Sequence, residues 1–291
     1  HQASALSTEQ VLALSTGQIV ALGSANLQAF GLDSVAVLSS SQIGSLTTLQ
    51  LSSLRTTQVA AIETTPLQSL TTALIQSLNS LQIAALSSLQ IAALTTTQVG
   101  ALRPAQITAI KTDRIASLEV EDLAALTTTQ FGALTPSQVS ALSTTQVQAI
   151  TTAQISVASS LSIRAFASDQ IAALTSTQIG ALTTSQIGSL RTAQVLALEV
   201  SDLGVFSTLQ IRALSSAQVF VLTTDQVVAL NTDQVSALRT TQLAALGSAQ
   251  IQVVETADLV VLSASQFGAF SSTQISAMLT EPVSYTHLRA H

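Results

Sequence analysis

The densest group of side chains able to do chemistry in this sequence is Glu119-Val120-Glu121-Asp122, with Asp113 one repeat earlier. Clustered carboxylates suggest a calcium site, which takes about six to eight oxygen ligands. The Gly-Asp spacing of a calcium loop is missing. Two further groups, Glu199-Val200-Ser201-Asp202 and Glu255-Thr256-Ala257-Asp258, repeat the pattern with fewer charges. All three read better as residues that start helices than as ligands. From Gln2 to Thr280 there is no His, Cys, Trp or Tyr, and Lys111 is the single lysine. Most general bases, thiol nucleophiles and soft metal ligands are thereby excluded. The abundant Ser and Thr have no evident activator. Gly100, Gly132, Gly180, Gly188 and Gly204 share one repeat position but lack the spacing and following Lys of a phosphate loop. They read as close helix contacts or fraying ends. The expectation is a chain with no catalytic, cofactor-binding or metal-ligating residues, no cofactor and no enzymatic activity.

The spacing of these residues comes from a period of eight. In Leu174-Thr175-Ser176-Thr177-Gln178-Ile179-Gly180-Ala181, label the positions a to h. Position a recurs thirty-five times from Leu6 to Met278 without insertion or deletion. Position f is Val, Ile, Leu or Phe throughout, and a is mostly Leu. Position h is Ala, Ser or Val, and b and c are mostly Ser or Thr. Position e is Gln in 25 of 34 octads. Three apolar positions, f, h and a, would form one buried seam. Phe166, Phe206 and Phe270 at a belong to that core. Phe220 at g is read as core too, the other readings being an exposed apolar contact or the edge of a binding patch.

The order of residues is a helix-start signal. In Leu142-Ser143-Thr144-Thr145-Gln146-Val147, Ser143 and Gln146 have the spacing of a capping box, and Leu142 can staple onto Val147. Pro104 and Pro136 fall at c, the first helical position if b is the N-cap, where proline is welcome. Pro66 lies at e, which suggests that its helix starts later, at Thr65. All 14 acids before Thr280 occupy b, d or e, the end of a helix where negative charge is favoured. Arg55, Arg103, Lys111, Arg191 and Arg239 stand at b, just past the preceding helix, where positive charge is favoured. Each octad is then a helix of about six residues, too short to stand alone in water, and it must stack on its neighbours. One continuous helix fails, because apolar positions averaging four residues apart would spiral away from any partner.

These observations predict an all-α solenoid of about 35 eight-residue repeats, each one short N-capped helix. Residues 1–280 form a single array and 281–291 a non-repeat tail; the number of octads in a superhelical turn is left open, two and three both fitting the pattern. A β-solenoid is the alternative, since Thr, Val and Ile favour strands. Against it, tight corners want Gly, Asn or Asp, and the chain has 11 Gly and only Asn26, Asn79 and Asn231. Alternation would also place the polar d beside f and h, and Gln, Ala and Leu are better helix formers than strand formers.

The chain has 291 residues, 47% hydrophobic and 8% charged, a net charge of −6 and no cysteine. Disulfides are excluded, and no basic footprint for nucleic acid is present. No apolar run approaches the ~20 residues of a membrane helix. The array is in register already at Ala5-Leu6 and no signal peptide is visible, so the native N-terminus is expected to lie upstream. Val283-Ser284-Tyr285-Thr286-His287-Leu288-Arg289-Ala290-His291 looks like translated adaptor sequence and is read as foreign to the array.

Written as L-[ST]-[ST]-x-Q-[IV]-x-A, the octad resembles low-complexity tracts of very long bacterial proteins that carry surface, adhesion or haem-utilisation labels. The resemblance covers Ala5 to about Met278 and brings no functional residues with it. It implies a structural stalk or spacer of a bacterial surface or secreted protein, placed outside the cell or at its surface. The L-T-x-x-Q-I start is also similar to the head of calmodulin-type helices, without the calcium loop. The other functional class is a binding module that holds a repetitive ligand (ice, glycan or protein) on a Ser/Thr-rich face. The partner is unknown; no nucleic acid and no membrane insertion are expected, while protein or glycan contacts along the surface are open.

Overall fold

A computed structural model describes residues 5–278; the tail at 281–291 lies outside the described residues. Among the described residues there are 34 short α-helices and no strands, numbered in chain order from α1 (Thr8–Ala13) to α34 (Ser272–Met278). Neighbouring helices pack in one repeating pattern, and the architecture is an all-α solenoid. The chain divides into two compact units, one ending at Val157 and the other beginning at Ala158. The same octad builds both.

In α18 (Thr144–Ala149) the N-cap is Ser143, at b, with extended backbone (φ −70°, ψ 159°). Its Oγ accepts from Gln146 N at 3.1 Å, and Gln146 Oε1 accepts from Ser143 N at 2.9 Å. Pro104 and Pro136 begin α13 (Pro104–Ala109) and α17 (Pro136–Ser140). Pro66 corrects one expectation. Its helix, α8 (Thr64–Gln68), starts at Thr64 in the common register, and Pro66 is the third helical residue. The first four N–H groups of a helix have no intrahelical partner, so proline costs no helix bond there.

The turns need no special residues. After α12 (Thr96–Ala101), Leu102 (φ −59°, ψ 137°) and Arg103 (φ −75°, ψ 152°) are both extended. Two extended residues redirect the chain, and no described residue has positive φ. The scarcity of Gly, which argued against tight β corners, is the composition expected of this joint.

Helices pack mainly three apart along the chain, as α7 (Thr56–Ala60) does on α10 (Ser80–Ala85) and α10 does on α13. Side-chain bonds between successive turns span 25 to 31 residues. Three octads are 24 residues and four are 32, so a turn holds between three and four octads. A helix therefore rests over the junction of two helices on the turn before it.

The seam also differs in composition. Positions f and a are buried as expected, for example Ile83, Leu86, Ile91 and Leu94, and Phe166, Phe206 and Phe270 are in the core. Position h is mostly half-buried instead, and the third buried position is the polar e. Phe220 is 62% exposed and not in the core, since g faces away from the seam.

Candidate functional site

Position e puts a buried polar side chain into most octads of the described residues. Gln98 is 2% exposed. Its Oε1 accepts from Thr95 N at 3.0 Å, at the start of its own helix α12. Its Nε2 donates to Leu67 O (3.0 Å), Gln68 O (3.2 Å) and Leu70 O (2.8 Å) at the end of α8. The last carbonyls of a helix lack intrahelical partners. One amide thus caps the start of its own helix and the end of a helix on the adjacent turn. Gln42, Gln82, Gln130, Gln194 and Gln242 do the same with carbonyls 28 and 31 residues earlier. The result is a ladder of amides along each unit.

Sequence reasoning found the first half of this role and missed the second. A clue was present: e remains Gln where b has no hydroxyl to complete a box. Arg55, Ala167 and Gly247 still donate their N–H groups to Gln58, Gln170 and Gln250 at 2.7–3.0 Å. At e itself Arg114 replaces the amide, and its guanidinium donates to Ala84 O and Leu86 O. The basic residues at b also act across a turn. Nη2 of Arg55, Arg191 and Arg239 donates to Phe30 O, Phe166 O and Leu214 O, each 25 residues earlier. Positive charge does meet a helix end, but on the adjacent turn and not the helix just before it in the chain.

The acids stand in helix first turns, and the structure separates them by depth. Asp122, Asp202 and Asp258, at e, are buried. Glu119 and Glu121 lie at the surface beside Asp122. Burial chiefly raises the Asp122 carboxyl above its ordinary value, Glu119 and Glu121 add to that, and the Thr96 hydroxyl opposes it. Burial likewise raises Asp202, with Glu199 adding and bonds from Ser176 and the Glu199 backbone opposing. Asp113 lies exposed on α14 (Thr112–Ile115). No group of three or more potential metal ligands occurs among the described residues. The g glycines are of two kinds: a Cβ on Gly188 would meet Ala213 O at 3.2 Å, while around Gly100, Gly180 and Gly204 the space is open.

The hydroxyls sort by position. Those at b accept from the e backbone, as Thr95 Oγ1 does from Gln98 N at 3.3 Å. Thr95, Thr96 and Thr97 nevertheless remain exposed, as do Thr127, Thr128 and Thr129. Five exposed leucines at d, namely Leu49, Leu81, Leu89, Leu161 and Leu209, interrupt these rows. An open groove of about 410 Å³ lies between α11 (Ser88–Ala92), α15 (Val120–Ala125) and α18, lined by Leu89, Ala92, Val120 and Gln146 among others. In the second unit one cavity within the apolar seam has about 10 Å³, far below the several hundred Å³ of typical ligand cavities. No described helix is long and apolar enough to cross a membrane.

Read from h through e, the octad spells out as Ala125-Leu126-Thr127-Thr128-Thr129-Gln130 or Ala181-Leu182-Thr183-Thr184-Ser185-Gln186. The ALTTAQ repeat family matches seven times, at residues 13–48, 59–96, 84–112, 115–152, 150–192, 163–200 and 195–232, together more than half of the chain. No curated protein matches it.

Proposed function

The chain belongs to the ALTTAQ repeat family, and on that premise we propose that it is a passive, non-enzymatic spacer. The carrying observation is the amide ladder: the buried polar group of most octads is spent on the helix ends of its own and the adjacent turn. In repeat arrays each unit touches mainly its neighbours, so adding octads adds length through the same kind of joint. A stalk needs that property and a catalytic pocket does not. The setting we propose is a long bacterial surface or secreted protein, with residues 1–280 acting as one array. Small-angle scattering on the chain and on variants lacking three or six octads tests the reading. The maximum dimension should fall in equal steps. A dimension that does not change with octad number would refute it.

The exposed hydroxyl rows, such as Thr95-Thr96-Thr97, favour a second reading as a face for ice or glycan. Thr→Val changes along one exposed row should then abolish activity in ice-recrystallisation or glycan-array assays and leave folding intact. Activity indifferent to those changes would dismiss it.

A further inference from the structure

We infer that α15 and α25 (Val200–Gly204) are acid-tightened joints: each buries a carboxylate, Asp122 or Asp202, where most octads bury a glutamine, and a proton taken up there stabilises the helix on the turn before it.

The geometry is the ladder with its donor removed. Asp122 is 3% exposed and Asp202 1%. On the near side Asp202 does what Gln does, accepting at Oδ2 from Glu199 N at 3.0 Å. On the far side its Oδ1 accepts from Ser176 Oγ at 3.0 Å, across 26 residues. Thr96 holds Asp122 from the same position of its own octad. A glutamine at either site would place an N–H₂ toward carbonyls of the earlier turn, by register Ile91 and Leu94 or Ile171 and Leu174. An ionised carboxylate has no proton to donate and sets a charge near those oxygens instead. Burying a charge without a counter-charge is costly.

No cation offsets it. Helix α15 packs on α12 and α18, neither of which carries a charged residue, and Gln154 of α19 (Thr152–Val157) reaches its last carbonyls. The charged groups on its own octad are Glu119 and Glu121. Helix α25 packs on α22 (Ser176–Gly180), which is uncharged, and α28 (Thr224–Val228), which carries Asp225. Gln234 of α29 (Thr232–Ala237), a helix carrying Asp233, reaches the last carbonyls of α25, whose own octad adds Glu199. The nearby cations bond elsewhere: Arg103 to Gln76 O, Arg114 to Ala84 O and Leu86 O, Arg191 to Phe166 O.

Both carboxyls sit above the ordinary 3.8 in the folded chain. The charged form is therefore penalised by folding, fully so above the raised value. The penalty disappears as pH falls through that value toward 3.8, so stability from these two sites rises on acidification. Exposed acids at helix starts act with the opposite sign, because their charges favour the helix. The test must therefore compare chains differing only at the two sites.

Thermal midpoints of the full chain are measured from pH 7 to pH 4 beside those of the doubly substituted Asp122→Asn/Asp202→Asn and Asp122→Gln/Asp202→Gln chains. Both neutral variants should melt a few degrees higher at pH 7, with the gap closing as pH falls. A gap that is absent, reversed or widening on acidification overturns the inference. Carboxyl titration by NMR of the folded wild-type chain gives a second reading that needs no variant. Asp122 and Asp202 should take up protons above 3.8, and values at or below it overturn the inference equally.

Discussion

Helices α10 to α13 and their neighbours α8 and α9 (Thr72–Ser77) are built on the same seam with different polar chemistry. Gln82, Gln90, Gln98 and Gln106 each bond carbonyls 28 and 31 residues earlier. In α8 and α9 position e holds Pro66 and Leu74, which have no amide to offer. Both groups nevertheless stack on helices three away, and Leu74 is 4% exposed. At α8 a hydroxyl makes a cross-turn bond: Ser69 Oγ donates to Ser40 O at 2.9 Å. Apolar f and a hold a helix in its place, whereas e balances the polar groups that the stacking has dried out. The seam is obligatory, and the ladder can be interrupted.

The comparison is tested most severely in the seam. Ile83→Ala in the laddered stretch and Ile75→Ala in the unladdered one should each cost about 2–5 kcal/mol, as buried aliphatic truncations do. Denaturant melts read this directly, and a loss in one region at least twice that in the other would show that the seam is not shared. Next in size is the ladder. Gln98→Leu, which copies Leu74, strands carbonyls on α8 and should cost about 1–3 kcal/mol. Hydrogen exchange should quicken in α8 as well as in α12. The reciprocal Leu74→Gln should stabilise α9, and a loss of stability there would mean that α9 is packed for an apolar e.

Smaller effects concern the cap and the surface. Ser143→Ala should cost about 0.5–2 kcal/mol, the usual range for a lost N-cap, and Thr144→Ala less. Equal losses by thermal melting would move the cap by one residue. Last, Leu89→Ser, at a side chain 76% exposed, should stay within about 0.5 kcal/mol. A larger loss would make the groove beside Leu89 part of the packing.

Much of this was legible in the residues. The pairing of f with a gave two of the three buried positions, and the prolines at c placed the helix start. The cross-turn half of the ladder was not, because an exact repeat conceals its own turn length. Partners at any multiple of eight residues look alike, so nothing in Gln98 points to Leu67 and Leu70 over equivalent residues one octad away. Phe220 failed for a related reason: hydrophobicity alone cannot say that g faces outward when both f and h turn inward to differing depths. Pro66 misled because proline was expected at the very start of a helix, whereas the third helical residue also carries an N–H that the helix leaves unbonded.

Equivalence of octads carries a further consequence for assembly and inheritance. A helix displaced by one whole octad meets a carbonyl for every amide and an aliphatic side chain for every aliphatic side chain. Correct and slipped stackings thus lie close in energy, a condition that roughens a folding landscape. The irregular octads break the tie. Pro66, Leu74, Arg114 and Asp122 differ from the glutamine usual at e, so a slipped stacking would present these four to other octads of the adjacent turn. Adding or removing one octad keeps the repeat intact but re-pairs the octads across the following turn, because ladder glutamines such as Gln98 bond carbonyls 28 and 31 residues earlier.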